Sequence, residues 1–405
     1  MSTELGPGLV AGEARIALLD RALARATTMV ARVVTRGCIG LVLPDGSRFP
    51  ARDRSGAPTA EIELRRYRML RRLLTDGGIG FAEAYIEGDW DTPDLARLIA
   101  VLAGCQRSAG GFVPRAPWHR LLHLVRGNTR RGSRRNIAAH YDLGNDFFRC
   151  WLDRGMTYSS AIFADADESL EQAQARKYRR LAAMLALRPG MRVLEIGCGW
   201  GGFAEMAARD YGCHVTGLTL SREQLRFAER RIAEAGLSDR VELRLQDYRD
   251  VRSEFDRVAS IEMFEAVGER HWPVFFDTLR ARLRPGGVAA LQIITIADQR
   301  FARYRRRADF IQRYIFPGGM LPSPAALARA IDAAGLSLAA SETFASGYAR
   351  TLAAWHRAFD RAWPQIAALG FDERFRRMWQ YYLAYCEGGF RAGTVDVGQY
   401  RIERP

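Results

Sequence analysis

Lysine is almost missing from this chain of 405 residues: Lys177 is the only one. The formal net charge of +14 is therefore carried by arginine. A basic surplus suits an anionic partner, whether phospholipid or nucleic acid, and it also suits a GC-rich coding sequence. Composition alone leaves these open. The six cysteines (Cys38, Cys105, Cys150, Cys198, Cys213 and Cys386) show no C-x-x-C spacing. That speaks against a disulfide framework and against zinc, so no metal site is expected. No run of about 18 apolar residues exists, and the N-terminus lacks a basic-then-apolar signal. A cytoplasmic enzyme, peripheral at the inner face of the membrane, is the expectation. No P-loop G-K-[ST] and no dinucleotide G-x-G-x-x-G is found.

What is present begins with bulk. Hydrophobic residues make up 48% of the chain, enough to fill a core, and the length favours two domains. The most informative stretch is V-L-E-I-G-C-G-W-G-G, residues 193–202. Val193, Leu194 and Ile196 predict a short buried strand. Gly197, Gly199, Gly201 and Gly202 follow, and then a helical pattern from Phe203. Strand, glycine turn and helix form half of a nucleotide-binding unit, in which the backbone passes close to a ligand and the helix offers free N–H groups. An acid inside the strand, Glu195, ahead of G-x-G is the pattern of methyltransferases that use S-adenosylmethionine.

Around this stretch the chain is ordered. Residues 14–29 predict an amphipathic helix, and 32–50 a hairpin turning at Pro44-Asp45-Gly46. Glu61 to Leu74 predicts a strand running into a helix, and a further helix ends near Leu102. This N-terminal α+β domain spans 1–106. Residues 107–135 form a basic linker with eight arginines in its 107–135 run and no acid, which fits either a solvated connection or a surface facing phospholipid headgroups. The domain 136–405 alternates strands and helices. Its expected strands are 193–196, 214–219, 241–245, 255–261 and 288–294, the last after a turn at Arg284-Pro285-Gly286-Gly287. Ser221 with Gln224 predicts a capping box. The fold class is therefore α/β, a Rossmann-like, doubly wound domain preceded by a smaller α+β domain. Ligands in such sheets lie at the carboxyl ends of the strands. The glycine loop, Thr219-Leu220, Asp247 and the stretch Glu262 to Glu265 all fall there.

These residues carry a family likeness. H-Y-D-L-G-N-D-F-F (140–148), M-T-Y-S-S-A-I-F (156–163), the glycine loop, G-L-T-L-S-R-E-Q (217–224), L-Q-D-Y-R-D (245–250), M-F-E-A-V-G (263–268), Y-I-F-P-G-G-M-L-P-S (314–323) and Y-Y-L-A-Y-C-E-G-G-F-R-A-G (381–393) stand in order. The chain resembles the cyclopropane-fatty-acyl-phospholipid synthases and mycolic acid cyclopropane synthases, strongly over about two thirds of its length and weakly in Y-I-E-G-D-W-D (85–91). The resemblance implies a class I S-adenosylmethionine-dependent methyltransferase fold behind an N-terminal lipid-binding domain, with S-adenosylmethionine as donor and the double bond of an unsaturated acyl chain on a membrane phospholipid as acceptor. It implies that Tyr158, Ser159, Glu195, Gly197, Gly199, Gly201, Thr219, Leu220, Gln224, Gln246, Asp247 and Tyr248 surround the cofactor. It further implies Glu265 as the active-site carboxylate, Tyr348 as an active-site tyrosine, and Cys386 at the position long assigned to an active-site cysteine. Read as residues alone, Cys386 is better taken as a small buried hydrophobe, because methylating an alkene needs no thiolate, and His140 as structural.

Two departures stand out. Ser160 replaces a cysteine of the cyclopropane-forming members, and Gln292 replaces a histidine. With the glutamate and the tyrosine, those positions hold a bicarbonate base in the family, so these replacements put bicarbonate in question here. Serine and glutamine still offer hydrogen bonds, without the basicity of what they replace. Loss of that base predicts a methyl-branched or methylene product beside or instead of a cyclopropane. Competing readings are a methyltransferase acting on a small molecule or nucleic acid, and a non-catalytic lipid-binding protein. No Asn/Asp-Pro-Pro-Tyr tetrad supports base methylation, so nucleic acid is not the expected partner, and a homodimer is left open.

Overall fold

The computed structural model describes residues 39–51, 59–108, 143–306 and 308–405. The expected helix at 14–29, the first half of the hairpin, the basic run after residue 108 and His140 lie outside the described residues. Contacts divide the chain into two units, one formed by Met1–Ala116 with Glu373–Tyr381 and the other by Pro117–Asp372 with Tyr382–Pro405.

In the first unit, strands β1 (Ile39–Val42), β2 (Arg48–Phe49), β3 (Ala60–Leu64) and β4 (Trp90–Asp91) form a sheet in the order β2-β1-β3-β4. The hairpin turns at Pro44-Asp45-Gly46 as expected, with Gly46 at φ 84° and its N–H donating to Leu43 O. The helix Arg68–Ile86 ends where Gly88 adopts φ 71°. Beyond it, fully buried Asp89 accepts both arms of the Arg68 guanidinium, at 3.0 and 2.8 Å. Trp90 stacks on Phe81 at 4.2 Å and donates its indole N–H to Phe81 O. The segment 373–381 joins this unit through Arg377, which lies over the Tyr85 ring at 4.0 Å and donates to Tyr85 O.

The second unit is built on a seven-stranded sheet. Its strands are β5 (Arg192–Ile196), β6 (His214–Thr219), β7 (Val241–Leu245), β8 (Phe255–Ile261), β9 (Leu283–Ile296), β10 (Ser337–Thr343) and β11 (Val395–Glu403), in the order β10-β11-β9-β8-β5-β6-β7. The five expected strands run parallel. Period-two alternation sends Leu194 and Ile196 into one core and Val193 into the other, so both faces are buried. Sequence patterning missed β10 and β11, which extend the sheet antiparallel beyond β9. Each residue of β10 is exposed, so it carries no hydrophobic alternation to detect. The expected turn at 284–287 is absorbed into β9 as an irregular start, where Gly286 N–H donates to Arg404 O and the pairing with β8 shifts register. The Ser221 cap is half a box: its hydroxyl accepts from Gln224 N–H, but the Gln224 side chain turns to Thr219. The full reciprocal box forms instead at Ser169 and Gln172.

Candidate active site

The glycine loop leaves β5 with Gly197 and Cys198 N–H both donating to Leu218 O on β6. Gly197, Gly199 and Gly201 have φ of 85°, 53° and 84°, a backbone that side chains resist. A Cβ on Gly197 would stand 2.9 Å from Met263 Cγ, and one on Gly201 3.1 Å from Ala228 Cβ. A Cβ on Gly199 would meet nothing within 4 Å. Gly197 and Gly201 are thus explained by protein packing, whereas Gly199 borders open space. The helix Gly202–Tyr211 starts there with no side-chain cap. Its leading N–H groups are the kind that receive a carboxylate.

The other expected cofactor residues divide by what already holds them. Glu195 is 2% exposed, and its Oε2 has no hydrogen-bond partner among the described residues. Burial pushes its carboxyl up to about 8, against the pull of Lys177. The Ser159 hydroxyl is taken by Lys177 Nζ at 2.6 Å, and the Tyr158 hydroxyl pairs with that of Tyr382 at 2.7 Å. Thr219 Oγ1 bonds Gln224 Oε1 at 2.8 Å. Gln246 N–H donates to Thr219 O, while Leu220 and Gln246 are half-buried beside it at the ends of β6 and β7. Asp247 closes a two-armed pair with Arg249 at 2.8 and 2.6 Å and caps the turn 248–250. Tyr248 packs edge-on against Phe275. A buried acid with one unpartnered oxygen and an open glycine wall at a helix start together fit a small ligand with a cationic end and a carboxylate.

A second cluster of expected residues lies at the end of β8, beside β9. Three expected residues, Ser160, Gln292 and Tyr348, are brought together, but around an acid that the sequence had only placed at a strand end. Glu262, the first residue after β8, has φ 50°, one of three non-glycine residues in the left-handed region among those described. Its Oε1 accepts from Ser160 N–H at 2.8 Å and from Gln292 Nε2 at 2.7 Å, and its Oε2 accepts from Tyr348 O–H at 2.6 Å. Gln292 cannot turn over without loss. Its Oε1 accepts from Gln399 Nε2 at 3.1 Å, and Nε2 also donates to Ser160 O. The Ser160 hydroxyl takes no part; it donates to Ala161 O. Glu265 sits apart from this set and accepts from Ile294 N–H at 2.6 Å. Its second oxygen has no partner among the described residues.

The two acids are held differently. Desolvation and then the neighbouring Glu262 push Glu265 up to about 8. Desolvation also raises Glu262, but Tyr348, Ser160, Gln292 and the Lys177 charge oppose it. Burial raises both acids, but side-chain donors and a positive charge favour the ionised form of Glu262, whereas a negative neighbour disfavours that of Glu265. Lys177, fully buried, is pushed down to about 7 by desolvation, with Glu262, Asp153 and Glu195 resisting. Burial drives the Cys386 thiol well up, so it stays protonated and lacks the thiolate a nucleophile needs.

Aromatic rings pack around Tyr348, which donates to the Glu262 carboxylate. Tyr348 lies 6.1 Å from Trp355 and 4.6 Å from Phe390. Trp355 lies 5.3 Å from Tyr158 and 5.8 Å from Trp151. Their faces and one anion suit a positive charge in a dry place. Glu262 left one signal in the sequence, an acid directly at a parallel strand's carboxyl end, and Lys177 left its singularity.

The family model described as mycolic acid cyclopropane synthetase matches residues 128–400. A tuberculostearic acid methyltransferase of Mycobacterium tuberculosis is 42% identical over 401 residues, covering 94% of this chain and 91% of the relative. A cyclopropane-fatty-acyl-phospholipid synthase of Escherichia coli K12 is 36% identical over 358 residues, covering 86% of this chain and 89% of the relative. The solved cyclopropane synthase MmaA2 from Mycobacterium tuberculosis superposes with a TM-score of 0.63 at 32% identity, over 67% of this chain and 98% of that one.

Proposed function

Because the chain belongs to the mycolic acid cyclopropane synthetase family, we propose that it methylates the double bond of an unsaturated acyl chain carried on a membrane phospholipid. S-adenosylmethionine is the cofactor. Its carboxylate fits the start of the helix Gly202–Tyr211, and the wall at Gly199 and the lone oxygen of Glu195 fit the rest of its amino-acid end. When bound, the sulfonium supplies a methyl group to the alkene, whose π pair forms the new bond and leaves a carbocation on the chain. The observation that carries this reading is the packed aromatic series Trp151, Tyr158, Trp355 and Tyr348, whose last member donates to the Glu262 carboxylate. An alkene has no proton to remove before attack, so the residues must exclude water, favour positive charge and then accept a proton.

The product follows from where that proton leaves. Direct loss from the new methyl closes a ring; after a hydride shift to give the cation on the methyl-bearing carbon, loss from that methyl gives a methylene group and loss from a chain carbon gives a methyl-branched alkene. The similarity to a tuberculostearic acid methyltransferase over 94% of the chain supports the second course. The test is to supply methyl-labelled cofactor with oleoyl phosphatidylglycerol vesicles and, separately, nucleic acid. Label in lipid is expected, with vinylidene or branched-methyl proton signals. Ring-proton signals alone would replace that product with a cyclopropane, and label confined to nucleic acid would refute a lipid acceptor.

A further inference from the structure

We propose that Glu262 is the catalytic base of this protein, a carboxylate built into the chain in the place where a free bicarbonate would have to bind. The inference rests on the reading of the site as an alkene methyltransferase. Its ground is a conflict of fit. An anion held by the residues at 160, 292 and 348 needs donors, and each donor at those positions is already engaged. Ser160 N–H and Gln292 Nε2 point to one oxygen of Glu262, and Tyr348 O–H points to the other. Bicarbonate does not fit the site while this side chain is present.

The backbone supports the same conclusion. A non-glycine residue at φ 50° is uncommon, and strain of this kind persists where surrounding structure compels it. Here it turns the side chain from the end of β8 back under β9. Gln292 and Gln399 then form a line fixed in one sense. Gln399 donates to Lys177 O and to Gln292 Oε1, which leaves Gln292 no choice but to present its N–H groups to Ser160 O and Glu262. A histidine at 292 could present an acceptor to this place; the oriented amide presents only donors. The surroundings are thus matched to a resident carboxylate.

The proton balance is closed by the chain itself. After methyl transfer, a C–H bond of the cationic chain breaks and its electron pair stays on carbon, as the third bond of a ring or as a new double bond. The proton forms an O–H bond with Glu262 and passes to water between turnovers. The charged and titratable groups facing Glu262 are Tyr348, Lys177, Glu265 and Cys386. Of these only Lys177 brings positive charge, and it favours the ionised base that the step requires.

Three proteins test this. Wild type should turn over equally in bicarbonate-free and bicarbonate-containing buffer. Glu262→Gln keeps the shape and removes the basicity. It should bind S-adenosylmethionine as wild type does by calorimetry, and lose at least about 100-fold in kcat, with no recovery on adding bicarbonate or formate. Glu262→Gly suits the positive φ and vacates the donors. It should be inactive alone, recover with bicarbonate or formate, and broaden the 13C line of labelled bicarbonate, which wild type leaves sharp. Bicarbonate dependence in the wild type, an active Glu262→Gln, or a cofactor-binding Glu262→Gly that neither binds nor responds to small carboxylates would each overturn the assignment. A wild-type protein that transfers no methyl to lipid would instead refute the proposed function, so the two failures are distinguishable.

Discussion

Gly199 allows the cofactor wall to be tested with little confusion from folding. Its φ of 53° resists any side chain, while a Cβ there meets nothing within 4 Å. In the free protein Gly199→Ala therefore costs only the left-handed backbone, about 1 kcal/mol, and a stiffer unfolded chain offsets part of that. For a unit of this size the melting temperature should fall by no more than about 2–4 °C. With ligand present the methyl lies in the space the ligand uses. Overpacking a filled contact costs about 1–3 kcal/mol, and each 1.4 kcal/mol, about tenfold in affinity, then predicts a loss of roughly 5- to 150-fold. Gly199→Val should abolish binding. Gly46→Ala is the control, since Gly46 also has positive φ and nothing within 4 Å but lies in the first unit. Gly197→Ala should behave differently, lowering stability through the contact with Met263. Calorimetric titration with S-adenosylmethionine beside thermal melts separates these effects. A folded Gly199→Val with wild-type affinity would refute the placement of the ligand against this wall.

Other consequences are as direct. Tyr348→Phe removes a hydrogen bond to a charged group, about 1.5–3 kcal/mol, or roughly one to two pKa units. Because that bond favours the ionised Glu262, the acidic limb of the kcat/KM profile should move to higher pH by that amount, and an unmoved limb would separate the tyrosine from the base. Glu265 has a folded pKa raised from 4.5 to about 8. Its contribution to stability is complete below the unfolded value and is lost as pH climbs to about 8. Glu265→Gln lacks that loss, so its melting temperature relative to wild type should rise across this window and level off above it; a constant difference would mean that the acid is solvated. Asp89→Ala removes the buried acceptor of both Arg68 arms, but Arg68 is 41% exposed and can turn to water, so the cost in denaturant titration should stay near that of a hydrogen bond to a charged group, about 1.5–3 kcal/mol, whereas a cost near zero would mean that the pair does not hold this unit together.

Much of this protein was legible in one dimension because its signals are local. Alternating apolar residues, glycines at turn positions and an acid before G-x-G predicted β5 to β9, the loop between β5 and its helix, and the carboxyl ends where ligands lie. The hairpin at Pro44-Asp45-Gly46 was legible for the same reason, since a turn is decided by its own residues. What escaped was decided between distant segments. The strands β10 and β11 belong to the sheet by hydrogen bonding to β9, and fully exposed β10 has no pattern of its own. The active-site carboxylate was expected at Glu265 by motif, yet the donors from residues 160, 292 and 348 converge on Glu262. The intervals of 102, 30 and 86 residues close only in the folded chain. The replacements at Ser160 and Gln292 were read as the loss of a base. In the folded chain the Ser160 N–H and the Gln292 amide instead meet a side chain that no motif pointed to, Glu262, turned by a left-handed backbone at the end of β8. Sequence determines which acids are available. Desolvation, hydrogen bonds and neighbouring charge, which exist only after folding, decide which of them holds a proton and which takes one.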